Sequence, residues 1–327
     1  MSKIVGVIGL GSISLRHRKN LKELFPSYKV IAVSARGGIP NEDVEDADLI
    51  VSGVQELLDL KPYMVIIASP ATLHAEHAIA MIKAGVPVLI EKPLTASASD
   101  SQAIVNASVK FNTPAVAGYC LRYMPSSQKV KEILGQEVIG NIYNASVNIG
   151  QFLPQWRPDK NYLHSVSAQP SLGGGVLLEL SHEFDYVQWL LGDMTCEYAQ
   201  LRNSSELDLE VEELADVVLS SKLGVVCSIH LDFLQKQPQR VCSLIGSKGR
   251  IEWDLLGNSI TLYTKDAVEV LYSEPKWDKN KMYLNMLRDF DSMIKGERHQ
   301  CIDLIQASKT IVLIEQIKQS AVWGAKQ

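Results

Sequence analysis

The sequence predicts an α/β protein in two parts, the first with a parallel sheet and the second with antiparallel strands. Two patterns carry this prediction. Up to residue 120, short apolar runs alternate with helical segments, as in parallel strands joined by right-handed crossovers. From residue 211 to 271 short strands dominate, and residues 225–233 alternate with the period of a half-buried strand. The change of pattern divides the chain into predicted domains 1–121 and 122–327.

Five short apolar runs are predicted as strands of the first domain, because each is followed by a turn or a helical segment. They cover residues 4–8, 29–33, 64–68, 86–90 and 114–118. Four helices are predicted between them, at residues 16–25, 55–60, 74–84 and 100–111. The third of these ends because Gly85 follows it. The apolar face of the first helix is predicted to consist of Leu15, Leu21, Leu24 and Phe25.

The second domain is predicted to begin with a long strand at residues 141–150 and a helix at 176–191. Gly246-Ser247-Lys248-Gly249 lies between two alternating runs and predicts a hairpin turn. Apolar residues at i, i+3, i+4 and i+7 predict a helix over 283–294, and a final helix is predicted over 303–322.

Composition excludes several classes of protein. The 327 residues are 46% hydrophobic and 21% charged, unlike a disordered, collagenous or coiled-coil chain. The net charge of −5 and the lack of a strongly basic stretch argue against nucleic acid as a partner. Five cysteines without a Cys-x-x-Cys pair argue against a disulfide framework or structural zinc and indicate a reducing compartment. Without a signal-like N-terminus or a membrane-length apolar run, we expect a cytoplasmic protein with no membrane partner.

A glycine-rich turn follows the first strand. It reads Gly9-x-Gly11-x-x-Ser14, where glycines let the backbone approach a pyrophosphate and the following helix offers unpaired N–H groups. Ser14 replaces the usual third glycine but is still small enough for close helix–strand packing. We therefore expect a Rossmann-type, doubly wound sheet with dinucleotide contacts from Gly9, Gly11, Ser12 and Ile13. The alternative is a tight turn that binds nothing.

The end of the second strand indicates which nucleotide binds. An NAD site normally has a carboxylate there, which accepts from the ribose 2′-OH. Here the chain reads Val33-Ser34-Ala35-Arg36-Gly37, with no carboxylate. Ser34 and Arg36 suit the 2′-phosphate of NADP, so we predict that NADP is preferred and NAD is possible. The alternative is a solvated Arg36 and an enzyme that accepts both cofactors.

Three further segments carry a family resemblance. They are residues 68–74 with the run AGVPVLIEKP at 84–93, GYCLRYMP at 118–125, and GGGVLLELSHEFD at 173–185. In this order they resemble the Gfo/Idh/MocA family of NAD(P)-dependent oxidoreductases, and the resemblance covers essentially the whole chain. It implies a Rossmann domain followed by an α/β domain with a large, mostly antiparallel open sheet, and a cofactor in the cleft between them. It also implies dimers or tetramers that assemble through the open sheet.

The resemblance places Lys92 beside the nicotinamide and the substrate hydroxyl, and makes His182 the acid/base. The residue types fit this chemistry, because histidine titrates near neutral pH and an ammonium stabilises a charged oxygen. No metal is expected: His74 and His77 lie one helical turn apart but lack a third ligand, and His77 is expected to be exposed. Further predicted cofactor contacts are Ser69, Pro70, His74, Glu91 and Lys92.

The substrate contacts are the least defined. The family commonly has an aspartate four residues before the histidine, whereas this chain has Leu178 there and Glu179 three residues before it. Asp185 either orients His182 or has a structural role. The other predicted substrate contacts are Arg122, Tyr123, Trp156, Arg157 and Tyr162. Two arginines suit an acidic or nucleotide-linked sugar; alternatively, Trp156 packs within its loop and Arg157 pairs with a neighbouring acid.

The sequence therefore predicts an oxidoreductase that transfers a hydride between NAD(P) and a CH–OH group of a sugar, sugar derivative or cyclitol. Two alternatives stay open at this point. One is an enzyme that retains its cofactor and uses transient oxidation for elimination, hydrolysis or epimerisation. The other is a dinucleotide-binding regulator without catalytic activity.

Overall fold

The computed structural model describes residues 3–324, which form two compact units. The first unit contains residues 3–120 and 280–311, and the second contains 121–279 and 312–324. The predicted domains 1–121 and 122–327 differ from this division, because residues 280–311 belong to the first unit. Long-range contacts make the difference: Asn280 hydrogen-bonds to Asn20, and Ile302 pairs with Ala117.

The first unit has a doubly wound sheet of seven strands. Six are parallel, in the order β6-β5-β4-β1-β2-β3, and the two-residue strand Ile302–Asp303 pairs antiparallel with β6. The six are β1 (Ile4–Ile8), β2 (Lys29–Val33), β3 (Leu49–Val51), β4 (Met64–Ile67), β5 (Val88–Glu91) and β6 (Ala115–Gly118). The five predicted strands are confirmed to within two residues at each end. The sequence analysis missed β3 and Ile302–Asp303, since two or three residues show no periodicity.

Four helices connect these strands: α1 (Ser12–Leu24), α2 (Val54–Asp59), α3 (His74–Lys83) and α4 (Ala98–Phe111). All four were predicted, but α1 begins four residues earlier than expected, directly after Gly11. Of the four residues of its predicted apolar face, Leu21 is fully buried and the other three are half-buried. The other buried residues of α1 are polar: Ser14, His17, Arg18 and Asn20.

The second unit has a mostly antiparallel sheet of nine strands. Its order is β14-β13-β12-β11-β7-β10-β9-β8, followed by the short strand Val322–Trp323 at the edge. Only the β7–β10 pair and the edge pair with β8 are parallel within the described part of the chain. The labelled strands are β7 (Ile142–Gly150), β8 (Met194–Arg202), β9 (Leu214–Ser221), β10 (Val226–Asp232), β11 (Gln239–Gly246), β12 (Gly249–Asp254), β13 (Ser259–Tyr263) and β14 (Val268–Ser273).

The two faces of this sheet differ. In β10, Cys227, Ile229 and Leu231 are buried, whereas Val226 and Ser228 on the other face are exposed. The predicted alternation is therefore confirmed, and so is the hairpin turn at Ser247-Lys248 between β11 and β12.

Helices α5 (Pro125–Gly135), α6 (Val176–Glu179) and α7 (His182–Leu191) belong to the second unit. Helices α6 and α7 take the place of the single helix predicted over 176–191, because the backbone bends at Leu180 and Ser181. Trp253 of β12 donates to Ser126 Oγ of α5 at 2.9 Å and meets the Tyr186 ring of α7 edge-on. These contacts fix two helices to the buried face of the sheet.

The last two helices are α8 (Lys281–Ile294) and α9 (Leu304–Ser320), close to their predicted bounds. Helix α8 lies in the first unit, where Asp291 accepts a hydrogen bond from Tyr63 at 2.9 Å. The chain passes from the first unit to the second within α9. Between residues 3 and 324 no helix is both long and apolar enough to cross a membrane.

Candidate functional site

The glycine-rich turn joins β1 to α1 with little space around it. Gly9 has a φ of +122°, and a Cβ built on it would lie 2.3 Å from the carbonyl oxygen of Ala68. Ser14 Oγ donates to that same oxygen at 3.1 Å. The serine in the third glycine position thus ties the first turn of α1 to the end of β4. Glycine is required at position 9 by both its backbone conformation and its surroundings.

Helix α1 presents its N-terminus to the open side of this turn. Gly11 is the extended N-cap residue, and no atom lies within 4 Å of where its Cβ would be. The backbone N–H groups of Ser12 and Ile13 open the helix, and its first turn contains no acidic residue. Unpaired N–H groups and the positive end of the helix dipole suit a diphosphate. The turn therefore fits the dinucleotide that the sequence predicts.

The loop after β2 lies at the same edge of the sheet, because β1 and β2 are adjacent parallel strands. Ser34 is half-buried and Arg36 is exposed. The N–H of Gly37 donates to the Ser34 carbonyl at 3.1 Å, which closes a tight turn around Arg36. The loop offers a hydroxyl and a guanidinium where an NAD site usually has a carboxylate.

Two buried histidines of α3 hold the neighbouring loops. His77 Nδ1 lies 3.0 Å from Ser69 Oγ, and His77 also bonds to the backbone of Ala35 in the loop after β2. His77 is therefore buried, and the expectation that it is exposed is wrong. The sequence analysis missed its role because its partners are fixed only by the fold. Burial lowers the pKa of His77.

His74 braces the loop after β4 against the loop after β5. Its Nε2 lies 2.8 Å from the Ser69 carbonyl oxygen, and its Nδ1 lies 3.1 Å from the carbonyl oxygens of Pro93 and Leu94. The ring is fully buried, and this lowers its pKa. His74 thus supports the backbone at Ser69 and Pro70. The predicted contact of His74 with a cofactor stays a prediction.

Lys92 follows β5, at the same edge of the sheet as the glycine-rich turn. The preceding Glu91 is 5% exposed, and its Oε2 accepts the Lys92 backbone N–H at 3.1 Å. Its Oε1 lies 2.6 Å from Nε2 of the fully buried His17. Each Glu91 oxygen therefore has a partner within the chain, although Glu91 was predicted as a cofactor contact. His17 had no predicted role.

The second unit provides His182 as the first residue of α7, 8% exposed. The bend at Leu180 and Ser181 separates it from α6, so His182 stands at a helix start rather than within a continuous helix. Glu179 is half-buried and accepts from Ser167 Oγ at 3.1 Å. Glu179 is the acidic residue nearest to the position where the family commonly has an aspartate. Its carboxylate is held by the Ser167 hydroxyl, which belongs to the segment before α6.

Glu212 is a buried carboxylate beside α6 that the sequence analysis missed. Its Oε1 accepts from the Leu177 N–H at 3.3 Å and lies 3.9 Å from Lys318 Nζ. A Cβ on Gly175, whose φ is +103°, would lie 2.4 Å from the same oxygen. Burial raises the Glu212 pKa. Packing thus explains the glycine at position 175 in the run before His182, because the Glu212 carboxylate fills the space that a side chain would need.

Arg122 and Asp185 form a buried ion pair. Asp185 was predicted either to orient His182 or to have a structural role. Both of its oxygens accept from the Arg122 guanidinium, at 3.0 and 2.7 Å, which agrees with the structural role. Arg122 and Tyr123 were predicted to line the substrate wall, yet they are only 8% and 6% exposed. Asp185 therefore pairs with Arg122 inside the protein.

The remaining predicted substrate residues lie in the segment before α6. Trp156 is half-buried, donates to the Gln151 carbonyl at 3.2 Å and meets Phe233 edge-on. Tyr162 donates its hydroxyl to the Leu207 carbonyl at 3.1 Å. Arg157 is exposed. The segment is anchored by its two aromatic residues, and their contact with a substrate stays a prediction.

These features define a two-unit oxidoreductase with a Rossmann nucleotide-binding unit. The chain belongs to the Gfo/Idh/MocA family. Residues 3–119 match the family described as oxidoreductase family, NAD-binding Rossmann fold, and residues 127–252 match the GFO/IDH/MocA C-terminal domain. Between residues 3 and 324, no group of three or more His, Cys, Asp or Glu side chains is arranged to hold a metal ion.

Sequence identity to individual relatives is low. An inositol 2-dehydrogenase of Acidiphilium cryptum is 24% identical over 262 residues, which are 76% of this chain and 73% of that one. A levoglucosan dehydrogenase structure in complex with NADH and levoglucosan has a TM-score of 0.84 at 19% identity, covering 98% and 97% of the two chains. A mutant 3-ketoreductase from Actinomadura kijaniata, in complex with TDP-benzene and NADP, has a TM-score of 0.82 at 20% identity, covering 99% and 100%.

Proposed function

We propose that this protein transfers a hydride between NAD(P) and a CH–OH or C=O group of a sugar or cyclitol. The observation that carries the proposal is the position of Lys92. It follows β5 at the edge of the sheet where the glycine-rich turn and the N-terminus of α1 also lie. Family membership supports the reaction class, and the inositol and levoglucosan dehydrogenases among its relatives support the substrate class.

The dinucleotide would be held by Gly9, Gly11 and the N–H groups of Ser12 and Ile13. The close packing at Gly9 and the open space at Gly11 fit such a group. When bound, the nicotinamide accepts or donates the hydride. The loops that His74 and His77 brace would carry the further contacts at Ser69 and Pro70.

Lys92 and His182 handle the proton and the charge in this proposal. As an alcohol is oxidised, its oxygen must lose a proton, and the Lys92 ammonium donates a hydrogen bond to that oxygen and stabilises its negative charge. His182 accepts the proton as general base and returns it in the reverse direction. Glu179 and the aromatic residues Trp156 and Tyr162 are proposed to position the sugar hydroxyls.

A neutral polyol suits the described charges better than an acidic sugar. Asp185 engages the Arg122 guanidinium, so that positive charge is compensated within the protein. Glu179 is half-buried and Glu212 is buried, and carboxylates disfavour a second negative charge nearby. Of the two arginines that suggested an acidic substrate, Arg157 alone is exposed.

NADP is proposed as the preferred cofactor, with NAD as the alternative. Ser34 and the exposed Arg36 support the preference, because they can bind a 2′-phosphate. The relatives' structures include complexes with NADH and with NADP, so relatedness favours neither.

A homodimer or homotetramer is proposed to form through the exposed face of the nine-stranded sheet. Tyr198, Val226 and Ile245 are exposed there, at 49%, 41% and 43%. Light scattering of the wild type and of Tyr198→Glu tests this, with a smaller assembly expected in the variant. A cytoplasmic location is also proposed, which the free state of all five cysteines supports.

The test of the activity follows absorbance at about 340 nm, where the reduced nicotinamide absorbs. Inositols, anhydrosugars, sugar acids and nucleotide sugars are supplied with NAD or NADP, and the matching ketones with the reduced cofactors. We expect turnover in the wild type and in the exposed control Lys83→Ala, and its loss in Lys92→Ala and His182→Ala. No turnover across the panel, with cofactor binding intact, would contradict the proposal and favour a retained cofactor or a regulatory role.

A further inference from the structure

Helix α1 buries polar side chains that connect it to other parts of the first unit. Ser14 bonds to the end of β4, Arg18 donates to the Glu45 carbonyl at 2.8 Å, and Asn20 bonds to Asn280. His17 lies among them and contacts the side chain next to Lys92. The helix that begins at the glycine-rich turn is therefore connected directly to the loop of the proposed catalytic lysine.

The His17 ring has one strong partner. It is 0% exposed, with Nε2 at 2.6 Å from Glu91 Oε1, and the Tyr283 ring meets it edge-on at 6.1 Å. A carboxylate only accepts hydrogen bonds, so Nε2 carries the proton. Nδ1 is buried without a hydrogen-bond partner among residues 3–324.

Glu91 has little freedom to move. Its second oxygen accepts the Lys92 N–H at 3.1 Å, and Gly118 of β6 packs against its backbone. A Cβ at position 118 would lie 3.1 Å from Glu91 Cα and 3.3 Å from its carboxyl carbon. The carboxylate is thus fixed between the His17 ring, the Lys92 amide and the neighbouring strand.

We propose that His17 is a positioning residue for hydride transfer, which acts by holding the Glu91 carboxylate and through it the backbone of Lys92. The inference rests on the proposed function, since it assigns Lys92 to the reacting oxygen. Helix α1 binds the diphosphate at its N-terminus and His17 fixes Lys92 from the same helix. The distance from the cofactor to the lysine is then set by one rigid element. A displacement of about 1 Å costs about 100-fold in rate in oriented reactions.

The kinetic test compares His17→Leu, His17→Gln and a control on the same buried face of α1, Asn20→Leu. His17→Leu is expected to lower kcat about 10- to 100-fold while the Kd of the reduced cofactor changes less than about threefold. Glutamine places an amide N–H near the position of Nε2, so His17→Gln is expected to recover kcat to within about threefold. Asn20→Leu is expected to lose stability but keep kcat.

A wild-type kcat in His17→Leu would overturn the proposal. Equal losses in His17→Leu and His17→Gln would also overturn it, because the effect would then come from packing. If His17→Leu does not fold, His17→Asn replaces it, since the shorter amide does not reach Glu91.

Amide hydrogen exchange of the cofactor-free protein separates this inference from the proposed function. Faster exchange at the amides of Lys92, Leu94 and Thr95 in His17→Leu, with restored protection in His17→Gln, is expected even without a known substrate. If the wild type turns over no substrate, the proposed function fails while exchange still decides whether His17 holds the Lys92 backbone. Unchanged exchange at residue 92 would overturn the positioning role.

Discussion

Arg122 holds Asp185 through two parallel hydrogen bonds, Nε to Oδ2 at 3.0 Å and Nη2 to Oδ1 at 2.7 Å. Both side chains are buried, with 9% and 1% of their surfaces exposed. Burial raises the pKa of Asp185, and the guanidinium opposes that shift. The fork geometry of a bidentate pair supports the ionised form. The sequence had suggested that the positive charge of Arg122 binds substrate. Within the second unit, Asp185 compensates this charge instead.

Removing the acidic partner of this pair is the first test. Asp185→Asn is expected to lower the free energy of unfolding by about 3–5 kcal/mol, because it leaves a buried guanidinium without a counter-charge. Chemical denaturation measures the change, with the exposed Asp266→Asn as the matched control. A loss below about 1 kcal/mol would show that Arg122 finds another counter-charge or solvent.

The two glycines of the turn should respond differently to the same added methyl group. Gly9→Ala meets the Ala68 carbonyl oxygen at 2.3 Å in a backbone with φ of +122°, so we expect a loss of more than about 2 kcal/mol in unfolding free energy. Gly11→Ala has open space and should change stability by less than about 0.5 kcal/mol. It should nevertheless weaken dinucleotide binding, because the methyl group lies where the diphosphate approaches.

Denaturation curves and dinucleotide titrations of both variants check this contrast. Equal stability of the two variants would mean that the loop relaxes around Gly9. Unchanged binding in Gly11→Ala would place the diphosphate elsewhere.

The sequence was sufficient where structure depends on local pattern. The strands from β1 to β6 that span four or more residues, the hairpin turn at Ser247-Lys248 and the position of the glycine-rich turn all follow from periodicity and turn chemistry. The family segments then led to Lys92 and His182. Each of these features lies within a few consecutive residues.

What the sequence did not reveal depends on residues far apart in the chain. His17 and Glu91 are 74 positions apart, and Arg122 and Asp185 are 63 apart. In a sequence, a buried polar residue cannot be told from a surface residue until its partner is known. The buried face of α1 was therefore predicted from its apolar residues alone. The predicted domain bounds differ from the compact units for the same reason, because long-range contacts bring residues 280–311 to the first unit.

Arg36 decides the preference between the two cofactors if it binds the 2′-phosphate. Arg36→Ala is expected to raise the Kd of NADPH about 10- to 100-fold, because it removes one or two charge-assisted hydrogen bonds to the 2′-phosphate. The Kd of NADH is expected to stay unchanged. The exposed Arg298→Ala is the control for a lost positive charge. Fluorescence titration with both reduced cofactors measures the constants. A parallel weakening of NADPH and NADH, or tighter NADH binding in the wild type, would contradict the assignment.

A cluster on the exposed face of the second sheet links stability to pH. His230 Nδ1 lies 2.6 Å from Asp216 Oδ1, and its Nε2 lies 3.1 Å from Asp232 Oδ2. Arg202 also pairs with Asp216, and Gln235 donates to Asp232 at 2.6 Å. The hydrogen bond to Asp232 raises the pKa of His230, burial opposes it, and the bond to Asp216 adds to the increase. Both ring nitrogens face carboxylates, so the structure favours the imidazolium.

The sign of the pH dependence follows from that raised pKa. The unfolded chain releases the His230 proton near its ordinary pKa of 6.5, and the folded chain releases it at higher pH. The stabilisation is therefore fully present below about pH 6.5 and is lost as pH rises through the folded pKa. The Tm difference between the wild type and His230→Gln should accordingly be larger at about pH 6 than at about pH 9. A difference for His230→Gln that stays constant or grows with pH would mean that the folded protein does not retain this proton more tightly.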